Sequence, residues 1–216
     1  NIKYSQQLTS LLNELPDFCI QYFDSLEYTK QPRTKVAYAM DIKGFFEYLC
    51  FNSNLFNYES IKEFNINDLE KLSGHDINNY MRYVKAYSRD GSVVTNSEKA
   101  AKRKLCSLRG MYNFFFRYQL ITSNPTQLVD MPKIHEHAIT RLDVNEVSEF
   151  LDNVESGNKL SLNQLKRHEK LKNRDLALLT LMLGTGIRVS ECVGLDINDV
   201  DFDNDRIKVV RKGGTE

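Results

Sequence analysis

Leu183-Gly-Thr-Gly-Ile-Arg188-Val-Ser-Glu191-Cys-Val-Gly-Leu195 is the stretch on which the reading of this chain turns. The residues leading into it, Asp175 to Leu183, are apolar on nearly every side, which predicts a helix buried in a core. Gly184 and Gly186 should end that helix sharply, letting the chain reverse and bringing backbone N–H groups and the following arginine to one concave place suited to phosphate. The turn is not a P-loop, since no Gly-Lys-Ser/Thr follows it. Nor is it a dinucleotide fingerprint, because valine stands at position 189 and a helix rather than a strand precedes it. Ile187 to Leu195 predicts one or two further helical turns. Asp199, Asp201, Asp203 and Asp205 lack the glycine and glutamate that a calcium loop needs at its sixth and twelfth positions, and read as a solvated turn. Arg206 to Val210 then predicts a short strand running into a hairpin turn at Lys212-Gly-Gly.

Upstream the pattern is helical. Pro16 opens a short helix carrying Phe18, Tyr22, Phe23 and Leu26, and Lys30-Gln-Pro32 interrupts it. Thr34 to Phe51 predicts a second helix with Val36, Tyr38, Ile42, Phe45, Phe46 and Leu49 largely on one face, leaving Arg33, Lys35 and Lys43 available to solvent or a partner. An asparagine-rich stretch ends at Ser73, a natural cap for a third helix from His75 to Tyr87. Ser88 to Ser92 reads as a turn. Thr95 to Tyr118 reads as the longest helix, with Leu105, Leu108, Met111, Tyr112 and Phe115 inward. Ser123-Asn124-Pro125 stops it, and the composition of 131–139 is that of a connector. Beyond the connector an amphipathic helix carries Val147, Phe150, Leu151 and Val154, and Gly157 to Lys170 is a polar loop or an additional surface helix.

The 216 residues carry 29 cations and 29 anions, with 41% hydrophobic residues and four prolines, which excludes a disordered or fibrous chain. No run is long enough for a membrane span and no signal-peptide pattern opens the chain, so a cytosolic protein is expected. Cys19, Cys50, Cys106 and Cys192 are too dispersed for a zinc site and read as reduced core residues. His75, His135, His137 and His168 offer no metal-ligand spacing. The charge sums to zero but is segregated. Thr95 to Gln119 holds Lys99, Lys102, Arg103, Lys104, Arg109 and Arg117 against Glu98, and Lys159 to Arg174 holds six cations against Glu169. Such segregation suits an anionic partner. Lys99, Lys102, Arg103 and Arg109 follow helical spacing closely enough to form one stripe, as a helix against a major groove requires. Six cations on phosphates would give log affinity a slope of about −5 against log salt.

The box Gly184-Thr-Gly-Ile-Arg188-Val-Ser-Glu191 and the turn Arg211-Lys212-Gly-Gly resemble the arginine box and the lysine turn of the tyrosine recombinases, or phage-type integrases. Thr34 to Leu49, Lys99 to Tyr112 and Asn124-Pro125 are similar to that family's helical core-binding domain and the connector after it. The resemblance implies a mainly α fold: an all-α, SAM-like core-binding domain over 1–130, a linker at 131–139, and over 140–216 the start of a mixed α+β catalytic domain, the two closing on duplex DNA as a C-shaped clamp. It implies that Arg188 holds the scissile phosphate, that Lys212 protonates the leaving 5′ oxygen, and that Glu191 supports them. Lys35, Lys43, Lys99, Lys102, Arg103, Lys104, Arg109 and Arg33 would contact DNA. It implies no metal and no cofactor, a 3′-phosphotyrosyl intermediate, a Holliday junction, and a homo-tetramer on two DNA sites.

The family's His/Lys-x-x-Arg pair, its further His or Trp, and its nucleophilic tyrosine all fall beyond Glu216. The eleven tyrosines all precede the arginine box, the last being Tyr118. The chain is therefore expected to bind DNA without cutting it, as a fragment. Two rivals remain: a non-catalytic DNA-binding relative, and a helical protein-interaction module, which charge reversal at Arg103 and Lys104 should leave unaffected.

Overall fold

A computed structural model describes residues 2–89, 92–135, 138 and 140–210, and the chain divides into two compact units, Asn1–His137 and Ala138–Glu216. The first unit is built from α1 (Ile2–Glu14), α2 (Cys19–Ser25), α3 (Pro32–Phe51), α4 (Gly74–Lys85) and α5 (Glu98–Arg117), with short 3-10 turns between them. Pro32 starts α3 at a position where its missing N–H and fixed φ cost nothing. Ser73 caps α4: its Oγ accepts from the Asp76 N–H at 3.4 Å, while the Asp76 carboxylate accepts from the Ser73 N–H at 2.8 Å. Ser73→Ala should lower the stability of this unit by about 1 kcal/mol in urea denaturation, without changing its m-value.

The core lies between α3 and α5. Ala39, Ile42, Phe45, Phe46 and Leu49 from α3, and Leu105, Leu108, Met111, Tyr112 and Phe115 from α5, are fully buried. These are the faces the spacing predicts, and each large apolar side chain removed from water contributes about 1.5–3 kcal/mol. Phe18, just ahead of α2, joins the two helices by meeting Phe46 and Phe115 edge-on at centroid distances of 5.9 and 5.5 Å.

The sequence pattern misses one helix and both strands of a hairpin in this unit. Helix α1 lies against α3 through the half-buried Leu8, Leu11 and Leu12. The end of the third predicted helix is instead a strand, β1 (Ala86–Arg89), paired antiparallel with β2 (Ser92–Thr95) in the register Tyr87 to Val94. The Asn96 side chain ties the base of this hairpin to α4, donating to the Val84 carbonyl at 2.8 Å. Three of the four cysteines are buried, but Cys106 is half-exposed on α5, a correction to its reading as a core residue.

The second unit contains α6 (Val144–Ser156), α7 (Leu162–Thr185), α8 (Val189–Val193) and a minimal ribbon, β3 (Val200–Asp201) with β4 (Arg206–Ile207). Asp143 and Glu146 close a capping box at the start of α6 with both bonds at 2.8 Å. Gly157 ends α6 at φ +69°, where a Cβ would stand 2.7 Å from the His168 ring. The polar segment and the apolar segment that the sequence separates at about residue 170 form one helix, so α7, at 24 residues, and not α5 is the longest. The expectation of a buried helix fails here. No residue of α7 is buried, and the described residues of this unit bury only Gly157 and Cys192. Among the described residues α7 is met by α6 and by the short α8, which together leave its apolar side only half-covered. Among the described residues no helix is long and apolar enough to cross a membrane.

Candidate nucleic-acid interface and phosphate site

The cations expected to face a partner divide into two classes. Arg33 and Lys99 are exposed, Lys102 is half-exposed, and none of the three has an ion pair among the described residues. The others are engaged. Lys35 is 4% exposed and paired with Glu27, so it is not available to solvent. Lys43 bonds Glu14 at 2.5 Å and lies 3.5 Å from Glu47. Arg109 turns back on its own unit, donating to the Thr126 carbonyl at 3.2 Å and to that of Val129.

Arg103 and Lys104 both converge on Asp41 of α3, which is 1% exposed. Lys104 Nζ stands 3.2 Å from the carboxylate, and Arg103 also donates to the Ala37 carbonyl at 3.2 Å. Burial raises the Asp41 pKa above the usual carboxylate range, and the two cations only partly oppose it. The continuous stripe drawn from helical spacing is therefore corrected to an open patch at Lys99 and Lys102 with an ion-paired cluster beside it. Spacing fixes the direction of a side chain on α5, about 100° per residue, but not what α3 offers opposite it. Asp41 carried a signal that could have revealed this, an acid within the apolar face that runs from Val36 to Phe46.

In the second unit, Gly186 ends α7 at φ +68°, with its N–H on the Met182 carbonyl at 2.9 Å. The next two N–H groups are also taken, Ile187 by Thr185 Oγ1 at 3.4 Å and Arg188 by Glu191 Oε2 at 2.8 Å. The turn thus presents a side chain and not a nest of backbone donors. Arg188 Nη1 bonds Glu191 Oε1 at 2.7 Å, with the arginine side chain 71% exposed and the glutamate 8%. One edge of the guanidinium is held by a nearly buried carboxylate while the group itself faces solvent. A planar fork held in this way can take two oxygens of a phosphate. Lys212 lies outside the described residues. Among the described residues no cluster of histidine, cysteine or carboxylate could hold a metal ion.

The model of the phage integrase family matches residues 140–216. Similarity to tyrosine recombinases extends over the whole chain. It is 28% identical over 222 residues to tyrosine recombinase XerC of Caldanaerobacter subterraneus subsp. tengcongensis, covering 100% of this chain and 54% of that one. Identity to XerC of Bacillus subtilis is 32% over 185 residues, covering 80% and 55%, and to tyrosine recombinase XerS of Streptococcus mutans 28% over 240 residues, covering 97% and 64%. The chain belongs to the tyrosine recombinase family. It spans 54–64% of the length of these relatives. No solved structure matches it.

Proposed function

We propose that this chain is the DNA-binding part of a site-specific tyrosine recombinase, with the first unit on duplex DNA and Arg188 on the scissile phosphate. The observation that carries the reading is the Arg188–Glu191 pair, 2.7 Å apart, within the segment matched by the phage integrase family. A cation fixed in place before the phosphate arrives loses little freedom when charge develops on the phosphate oxygens. Glu191 supplies that fixation. Lys212 is assigned by resemblance as the acid for the 5′ leaving oxygen.

The complete enzyme would form a 3′-phosphotyrosyl intermediate, whose bond stores the phosphodiester energy, and would exchange strands through a Holliday junction as a homo-tetramer in the cytosol. The 216 residues, whose tyrosines all precede the arginine box, would bind without cleaving.

With Arg33, Lys99, Lys102 and Arg188 on phosphates, log affinity should fall against log salt with a slope between about −3 and −4, shallower than six cations would give. Fluorescence anisotropy of a labelled duplex across a salt series measures it. Lys99→Glu combined with Lys102→Glu should weaken binding at least tenfold and reduce the slope by about 2, alike on all sequences. A slope near zero, or binding unmoved by the double substitution, would sink the reading.

A further inference from the structure

In the first unit, α2, the segment after it, α3 and the C-terminal half of α5 surround a cavity of about 410 Å³. Its wall on α5 is open because residue 110 is glycine: a Cβ there would stand 2.6 Å from the Tyr22 hydroxyl oxygen. The hydroxyl thus occupies the space that a side chain would otherwise fill.

Tyr22 is 2% exposed, its ring packed against Phe23 and Phe114 at centroid distances of 5.2 and 5.8 Å. The Tyr22 hydroxyl is not one of a set of sealed, unsatisfied polar atoms, since the described residues hold none; its oxygen reaches the cavity beside Gly110 and can bond what enters there. Burial pushes the phenol pKa upward, which keeps it a neutral donor.

The lining is one-sided in charge, with Lys30 and Arg117 and no carboxylate. The Asn113 side-chain oxygen already accepts from Asn124 at 2.7 Å, which leaves its amide nitrogen to donate. The remaining wall includes the aromatic rings of Tyr38 and Phe114. Donors and cations select an anion, and aromatic faces select a flat π system. A cavity of this volume falls in the small-molecule range, enough for one such unit.

We propose that this cavity binds a single nucleotide unit, its base against the Tyr38 and Phe114 wall with an acceptor atom on the Tyr22 hydroxyl, and its phosphate toward Lys30 and Arg117. The site goes beyond the proposed function, which places backbone phosphates on Arg33, Lys99 and Lys102 and the scissile phosphate on Arg188. Two sources supply the same chemistry: a free mononucleotide, or an unpaired nucleotide turned out of a duplex.

The experiment uses the whole chain and three probes: 2-aminopurine riboside 5′-monophosphate, a duplex with one unpaired 2-aminopurine, and a fully paired duplex carrying a remote label. Saturable quenching of 2-aminopurine by at least one of the first two is expected, and which of them responds identifies the source. Tyr22→Phe, which removes only the oxygen, should weaken that response about fivefold, the worth of one hydrogen bond. Arg117→Ala should weaken it further, and neither variant should change the melting temperature. Quenching by neither probe, or quenching indifferent to both substitutions, overturns the proposal. The paired duplex reports separately on the proposed function, since its failure to bind while the nucleotide still quenches counts against that reading and not against the cavity.

Discussion

Replacing Arg103 and Lys104 together by methionine is expected to cost the first unit about 3–5 kcal/mol at neutral pH, the usual consequence of leaving one partner of a buried pair behind. Methionine keeps the length and much of the packing of both side chains, so what is lost is charge. Asp41 would keep its 1% exposure and lose both of the cations that meet it. Against a total stability of about 5–15 kcal/mol, this is a large share, and the melting temperature should drop by about 10 °C or more. The pH dependence identifies the cause. Burial already holds the folded-state pKa of Asp41 above its ordinary value of 3.8, and removing the cations pushes it higher. A raised carboxylate pKa means that the folded state takes up its proton before the unfolded state does, so stability recovers as pH falls through the folded pKa toward the ordinary one. Melting curves at pH 7 and at about pH 4.5 should therefore show a smaller gap between variant and parent at the lower pH. An equal gap at both would mean that the Asp41 charge is not responsible. Charge reversal at Arg103 and Lys104 consequently cannot separate a DNA-binding module from a protein-interaction module, because it disturbs folding first. Lys99 and Lys102 can, having no ion pair among the described residues to lose.

That distinction also marks where the sequence stops being legible. The apolar faces of α3 and α5 follow from periodicity because burial repeats every three to four residues whatever the partner is. The turn within Ser88 to Ser92 is legible, and its Asp90-Gly91 is a strong two-residue hairpin signal, but the strands on either side are hidden beside the longer helical pattern. Helix α1 was harder, since Leu8, Leu11 and Leu12 are its main apolar residues and their burial depends on α3 lying beside them. The arginine box stood out because its spacing is local, and the Arg188–Glu191 pair is itself an i,i+3 contact that spacing can foresee. The fates of Lys35 and Lys104 were not legible. Each depends on a carboxylate far along the chain or on another element, and charge composition treats an ion-paired lysine and an open one alike.

Amide exchange should divide the chain at the same place. In α3 and α5 the fully buried side chains include Phe45, Phe46, Leu105, Leu108 and Phe115, so their amides should exchange only through opening of the whole unit. In α7, Leu176, Leu178, Leu179, Leu181 and Met182 are half-buried and Leu183 is 43% exposed. Less apolar area leaves water when that helix forms, and local opening costs correspondingly less. Peptides covering 176–183 should exchange at least about a thousandfold faster than peptides covering 105–115, a gap of about 4 kcal/mol in opening free energy. Mass spectrometry at two protein concentrations provides the test. Protection as strong as that of 105–115 at both concentrations would mean that the apolar side of α7 is covered within one chain, and protection that grows with concentration would mean that a second copy covers it. The outcome bears directly on Arg188. If α7 opens readily, the arginine owes its position to the 2.7 Å bond from Glu191 and the 2.8 Å bond on its own N–H, and not to a rigid scaffold behind it. Glu191→Gln would then increase exchange at 187–193 while leaving 105–115 unchanged, because what it loosens is a local cap.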